Sequence, residues 1–238
     1  MNTELDFTGG LLYLVGTPIG NLGDMSQRAI DVLKEVDIIA CEDTRTSGNL
    51  LKHFGIQAKL TSYHQHNEHK KTPELIQTMQ NGSKIALISD AGMPAISDPG
   101  FLLVRAAHAS SIPVIPIPGP VAGITLLAAS GLPSDRFCFE GFLPQKKGRK
   151  TKLQGLVEEE RTIIFYESPF RILKLLEECK DTFGDNRLAC IGRELTKKFE
   201  EIKRDTLSNL YADFKSRASI KGEFVLIVAG MHYSEDLE

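Results

Sequence analysis

Between Leu11 and Ile117 one pattern recurs: a short apolar run, a loop of small residues, then a stretch with helical spacing. The runs are Leu11 to Val15, Asp37 to Cys41, Lys59 to Tyr63, Lys84 to Ile88 and Pro113 to Ile117. Between them, Asp24 with Gln27 three residues later reads as a capping box for a helix that places Ala29, Ile30, Leu33 and Val36 on one face. Thr44 to Phe54 reads as a helix closed by Gly55. Thr72 reads as an N-cap with Pro73 at the first helical position, leading through Leu75, Ile76 and Met79 to a stop at Gly82. Phe101 to Ala109 supplies the next helix. Strands alternating with helices at this spacing imply βαβ units and a mostly parallel sheet.

Pro113 to Pro120 holds four prolines in eight residues, which suits a stiff edge strand running into an exposed link. The expected division is therefore a domain of residues 1–118 and a second of 119–238. In the second, helices are expected at Val121 to Ser130, near Thr151 to Glu159, at Phe170 to Phe183 and across Leu207 to Phe214. Strands are expected at Phe137 to Phe142, Thr162 to Tyr166, Arg187 to Gly192 and Glu223 to Ala229.

The apolar run Lys84 to Ile88 passes directly into SDAGMPAISDPG, Ser89 to Gly100. A buried strand ending there puts backbone amides and the carboxylates of Asp90 and Asp98 at a sheet's carboxyl edge, where open α/β sheets bind ligands. GTPIGNLGD, from Gly16 to Asp24, stands where a nucleotide loop should be, yet its glycines fall at i, i+4 and i+7. That is neither a dinucleotide fingerprint nor a P-loop. Glu42-Asp43-Thr44-Arg45 either reaches a ribose hydroxyl or caps a helix and pairs charges on the surface; both readings stand. His64-Gln65-His66-Asn67-Glu68-His69 has alternate histidines, but no carboxylate or cysteine set completes a metal shell, so no metal is expected. Phe165-Tyr166-Glu167-Ser168 and Arg193-Glu194-Leu195-Thr196-Lys197 both follow strands of the second half.

The formal net charge is −3 with four cysteines and no C-x-x-C pair. This argues against holding free nucleic acid by bulk charge, and against a zinc knot or redox motif. A local basic tract remains: Gln145 to Lys152 has five basic residues in eight. No basic-then-apolar leader and no run of about 18 apolar residues is present, so a cytoplasmic protein away from the membrane is expected.

Taken together, GTPIGNLGD, CEDTR, HNE, SDAGMPAISDPG, PGPVAGIT, SGLPSDRF, FEGFLP, FYES, RELTK and KGEFVLIVAG run in order over nearly the whole chain. In that combination the sequence resembles the tetrapyrrole (corrin/porphyrin) methylases. It is most similar to the branch of that family that methylates the ribose 2′-oxygen of a cytidine in small-subunit (16S) ribosomal RNA. The resemblance implies two α/β domains, the second with a mixed sheet, an active-site cleft between them, a homodimer, and S-adenosylmethionine as donor. It implies donor contacts from Pro18 and Gly20, from Asp90, Gly92, Met93 and Ile96, and from Gly119, Val121 and Ala122, with Phe165 and Ala229 completing an adenine pocket. Family members usually carry a further small C-terminal segment, whereas this sequence stops eight residues past Gly230.

Transfer to an uncharged hydroxyl gains from a general base. By strand-end placement the candidates are Asp43, Glu42 and Glu167. Arg45, Arg193 and Lys197 are expected to orient phosphates, His66 to touch substrate, and Lys146, Lys147 and Arg149 to bind RNA. Two other readings remain open at this point: a methylase of small tetrapyrroles and an RNA-binding module without catalysis.

Overall fold

The structure is a computed structural model that describes residues 9–234. The chain forms two compact units, one ending at Val121 and one beginning at Ala122. The first contains β1 (Leu11–Val15), α1 (Gln27–Glu35), β2 (Ile38–Cys41), α2 (Thr44–His53), β3 (Lys59–Ser62), α3 (Glu68–Gln80), β4 (Lys84–Ile88), α4 (Phe101–Ala109) and β5 (Val114–Ile117). Its five strands are all parallel, in the order β3-β2-β4-β1-β5.

Both faces of this sheet are covered, which is why its strands read as continuous apolar runs instead of alternating ones. Ile39, Cys41, Ala86 and Ile88 pack with Ala29 and Leu33 of α1 and Leu51 of α2. Ala40, Ile85 and Leu87 face the other way, against Leu75 and Met79 of α3 and Leu103 and Ala107 of α4. The chain thus leaves β1 and β2 toward one face but β4 toward the other. Where neighbouring strands diverge in this way, a crevice opens at their carboxyl ends.

Two helix starts differ from expectation. α1 is capped by Ser26, whose Oγ accepts from the Ala29 amide at 3.2 Å, while Asp24 closes a 3-10 turn over Leu22–Asp24. α3 begins at Glu68, with Thr72 inside it bonded to the buried Tyr63 hydroxyl at 2.9 Å. Pro73 therefore sits in the second turn, where its missing N–H costs one bond near the helix start. The Thr-Pro pair looks like a cap because a cap uses the same residue types. β5 lies at the sheet edge with Pro116 exposed, the place a proline-rich strand can occupy.

The second unit contains α5 (Ala122–Ser130), β6 (Phe137–Phe142), α6 (Arg149–Gln154), β7 (Thr162–Glu167), α7 (Ile172–Phe183), β8 (Leu188–Arg193), β9 (Glu201–Thr206), α8 (Leu207–Ser216) and β10 (Phe224–Val228). Its sheet is mixed: order β6-β7-β10-β8-β9, with β6 parallel to β7 and the other pairs antiparallel. Phe165, Ile191 and Leu226 carry the core with Leu175 and Leu176 of α7 and Leu210 and Phe214 of α8. β9 was not foreseen, because EIKRDT is a charged edge strand, and charge on an edge discourages further pairing.

Candidate functional site

The loops that leave β1, β4 and β5 are bonded together at one point of the first sheet's carboxyl edge. Thr17 and Gly92 exchange backbone hydrogen bonds of 2.9 and 3.1 Å. The Thr17 hydroxyl donates to the Ser89 carbonyl at 3.1 Å, and the Ser89 hydroxyl to the Gly92 carbonyl at 3.1 Å. Gly92 has φ +85°, a conformation that a side chain disfavours. Gly16 and Gly119 meet backbone to backbone: a Cβ on Gly16 would lie 2.6 Å from the Gly119 Cα and 2.7 Å from the Met93 sulfur. Glycine is required there by close approach, not by turn geometry. The i, i+4, i+7 spacing is thereby explained in part, since Gly16 lets two strand ends touch and no phosphate turn is formed.

Pro18, Gly20, Asp90, Gly92, Met93, Ile96, Gly119 and Val121 all belong to these three joined loops, and Ala122 opens α5. Close packing of Gly16 against Gly119 and Met93 brings the three strand ends, with their backbone amides and carbonyls, to one point of the sheet's carboxyl edge, where open α/β sheets bind ligands. On that observation the loops fit a nucleoside-type donor. Phe165 is different: its ring is fully buried in the second unit's core and is not offered to a ligand. Ala229 is likewise buried, its amide bonded to the Leu188 carbonyl at 2.9 Å.

The expected catalytic carboxylates separate by environment. Asp43 caps α2, and its Oδ1 accepts from the Arg45 amide at 2.8 Å while Oδ2 accepts from the Arg45 guanidinium at 2.9 Å. Those Arg45 bonds hold Asp43 at a pKa of about 2, which makes it a weak base. Arg45 is itself occupied by that pair, though largely exposed. Glu42 is shifted upward, by burial first and then by the charge of Asp90, with His64 opposing. Asp98 is pushed up to about 6, by burial first and then by Glu42, with a Ser89 hydrogen bond opposing. Asp98 was not among the expected bases; its Asp-Pro context reads as a turn, and only the fold brings it near Glu42.

Glu42 and Asp98 both line a cavity of about 480 Å³ together with Gln65, Glu68, His69 and Phe101. It lies over the ends of β2, β3 and β4, at the starts of α3 and α4. The His64–His69 tract thus contributes Gln65, Glu68 and His69 to a cavity wall. His66 lies exposed beside the His64 ring, at a centroid distance of 5.9 Å.

Glu167 corrects the sequence reading outright. It is 2% exposed, and its carboxylate accepts from Arg149 at 3.1 Å, Arg171 at 2.8 Å and the Ser168 amide at 2.8 Å. A carboxylate so enclosed cannot meet a ribose hydroxyl. Arg149 is corrected with it: 4% exposed, it bridges Glu167 and Glu178, the latter at 2.6 Å, so its charge is spent inside the fold. Lys146 and Lys147 by contrast are exposed in the turn before α6. Arg193 donates to the Lys221 carbonyl at 2.7 Å, and Lys197 pairs with Glu194 and Glu223 at 3.0 Å each, so both are engaged locally. Among the described residues no group of three or more His, Cys, Asp or Glu is placed to hold a metal ion.

A parallel first sheet with loops joined at its carboxyl edge, followed by a mixed second sheet, defines a class, and sequence comparison agrees with it. The chain belongs to the tetrapyrrole (corrin/porphyrin) methylases, whose family profile matches residues 11–211. Within that class it is 52% identical over 229 residues to the ribosomal RNA small subunit methyltransferase I of Haemophilus influenzae, covering 95% of this chain and 81% of that protein. It is 51% identical over 233 residues to the protein of the same name from Escherichia coli O157:H7, covering 97% and 82%. Among solved structures it resembles diphthine synthase (TM-score 0.71, 15% identity, 92% and 90% covered) and the methyltransferase CobJ (0.68, 18%, 93% and 94%). At such identities these two likenesses show the fold alone.

Proposed function

We propose that this protein is a methyltransferase that carries a methyl group from S-adenosylmethionine to the ribose 2′-oxygen of a cytidine in 16S ribosomal RNA of the small subunit. The observation that carries this reading is identity of about half over nearly the whole chain with small-subunit rRNA methyltransferases. The joined glycine loops support it, because they gather backbone amides and carbonyls at the edge where open α/β sheets bind ligands.

S-adenosylmethionine supplies a methyl carbon on a positively charged sulfur. The protein's part is to hold that carbon in line with the ribose oxygen, and orientation of this kind contributes on the order of 7–11 kcal/mol. A base that receives the hydroxyl proton adds about 10²–10⁴-fold. A 2′-oxygen is reached along the backbone, and it is the group that separates RNA from DNA. The chain's net charge of −3 fits a substrate presented on a preformed particle better than bare RNA held by bulk charge. We place the enzyme in the cytoplasm as a homodimer; no helix among the described residues is long and apolar enough to cross a membrane.

The test is incorporation of labelled methyl from S-adenosylmethionine into small subunits purified from cells that lack this methylation. Label in 16S rRNA is expected. Label in added tetrapyrrole and none in RNA would overturn the assignment.

A further inference from the structure

We propose that the cavity over β2, β3 and β4 receives the ribose of the target nucleotide, and that Asp98 accepts the proton of its 2′-hydroxyl with Glu42 as the neighbouring charge. The inference rests on the rRNA reading above and names the substrate pocket and the base within it.

The cavity's size, about 480 Å³, lies within the range of about 300–1,000 Å³ typical of small-ligand sites. Its lining decides what enters. Glu42, Glu68 and Asp98 put three carboxylates around it, so a phosphate is repelled and an uncharged sugar with its base is accepted. Gln65 and His69 offer hydrogen bonds to such a guest. Phe101 is 63% exposed at the rim, an aromatic face of the kind on which unpaired bases stack. The Arg105 guanidinium lies 5.3 Å from that ring's centroid and places a cation beside it.

α3 and α4 both begin at the cavity, and neither has a side-chain cap: Gly100 has no side chain, and Asn67 Oδ1 accepts instead from the His64 amide at 2.9 Å. The first turns of these helices, which run for 13 and 9 residues, therefore keep backbone N–H groups that no cap side chain takes. Asp98 is fixed by a loop under strain, since Ala95 and Ser97 hold φ of 68° and 64°. Non-glycine residues persist in that region only where the surroundings enforce it, and such positions gather at functional sites. His64, in the loop that follows β3, has a buried Nδ1 without a hydrogen-bond partner among the described residues.

Elimination leads to the same residues. Asp43 is held by Arg45 and Glu167 by Arg149 and Arg171, which leaves the carboxylates that line the cavity, Glu42, Glu68 and Asp98, of which Asp98 is the one set on the strained loop. In the transfer, the ribose oxygen bonds to the methyl carbon while the carbon–sulfur bond breaks and its electron pair passes to sulfur. The hydroxyl proton goes to an Asp98 oxygen, and from there to water. The Asp98 titration is set by burial first, then by Glu42, the Ser89 hydroxyl and Asp90, with burial, Asp90, His64 and Asp43 acting on Glu42.

The test uses the full chain and unmethylated small subunits. Asp98→Asn, Glu42→Gln and Phe101→Ala are compared with the unaltered protein for single-turnover rate, KM for subunits, Kd for S-adenosylmethionine by calorimetry, and thermal midpoint. Asp98→Asn should lower the rate about 10²–10⁴-fold while the donor Kd changes less than about threefold. Phe101→Ala should raise KM more than it lowers the rate. Asp98→Glu should restore part of the rate with a displaced acid limb in its pH profile. If Asp98→Asn folds and transfers methyl at the original rate, the base is not Asp98. If Asp98→Asn or Glu42→Gln weakens donor binding tenfold or more while the saturated rate is kept, the cavity holds the donor. Should the unaltered protein itself transfer nothing to RNA, the rRNA reading fails first and carries this one with it.

Discussion

Replacing Arg149 with methionine tests whether the basic tract is one RNA-binding surface or a surface with a buried anchor. Arg149 and Glu167 are 4% and 1% exposed at their side chains and meet at 3.1 Å. Removing one partner of a buried pair costs about 3–5 kcal/mol, because the other charge is left uncompensated. Here the loss is partial: Arg171 and the Ser168 amide still hold the Glu167 Oε1 at 2.8 Å each. Glu178, the other partner, has a 27% exposed side chain and can turn to water. The expected cost of Arg149→Met is therefore about 2–4 kcal/mol. Adding Glu167→Gln should return part of it, since the stranded charge is then gone. The assay is urea unfolding followed by circular dichroism, with an unchanged m-value as the check that the midpoint shift reports stability. Lys146→Ala with Lys147→Ala, at exposed positions, should stay within about 0.5 kcal/mol of the parent. An Arg149→Met protein that unfolds at the parent's midpoint and has lost only RNA affinity would refute the reasoning.

Three further outcomes follow from the geometry. Gly119→Ala must push apart backbones that already touch, with its new Cβ 2.7 Å from the Gly16 Cα, so it should destabilise by about 1–3 kcal/mol and weaken donor binding, read by denaturation and calorimetry. Asp98 titrates at about 6 in the fold against 3.8 ordinarily, so the folded state holds its proton more tightly than the unfolded chain does. That stabilisation is complete below about pH 3.8 and is lost as the pH rises through about 6; Asp98→Asn should therefore be the more stable protein at pH 7.5 and lose its advantage at pH 4. The shift corresponds to about 3 kcal/mol unscreened, and for this partly exposed group solvent reduces it to about 1–2. Lys146→Ala with Lys147→Ala should lower the slope of log affinity for small subunits against log salt by about 2, leaving donor affinity unchanged.

Much of the first unit was legible because buried parallel strands are apolar throughout and the helices between them keep a clean period. Lys84 to Ile88 and Phe101 to Ala109 occur as read. The misses have local causes. Thr72 and Pro73 mimic a helix cap, while the true start at Glu68 has no side-chain cap to announce it. β9 has four charged residues in six along an edge, and Ile202 alone is too little apolar signal to mark a strand. At the site, residue types were visible but partners were not. Glu42 and Asp43 are adjacent in sequence, yet Arg45 ties Asp43 down and burial raises Glu42. Arg149 sits in a run of exposed lysines and alone turns inward, because Glu178 on α7 lies 2.6 Å from its guanidinium. Asp98 gains its character from burial first and then from Glu42, a residue 56 positions earlier in the chain that only the fold brings close.

Alkaline hydrolysis of the labelled 16S rRNA distinguishes transfer to a ribose oxygen from transfer to a base. A 2′-O-methyl group removes the neighbouring oxygen that attacks the phosphate, so the account predicts label in a single alkali-resistant dinucleotide that begins with cytidine. Label released entirely as ordinary mononucleotides would place the methyl group on a base and contradict it.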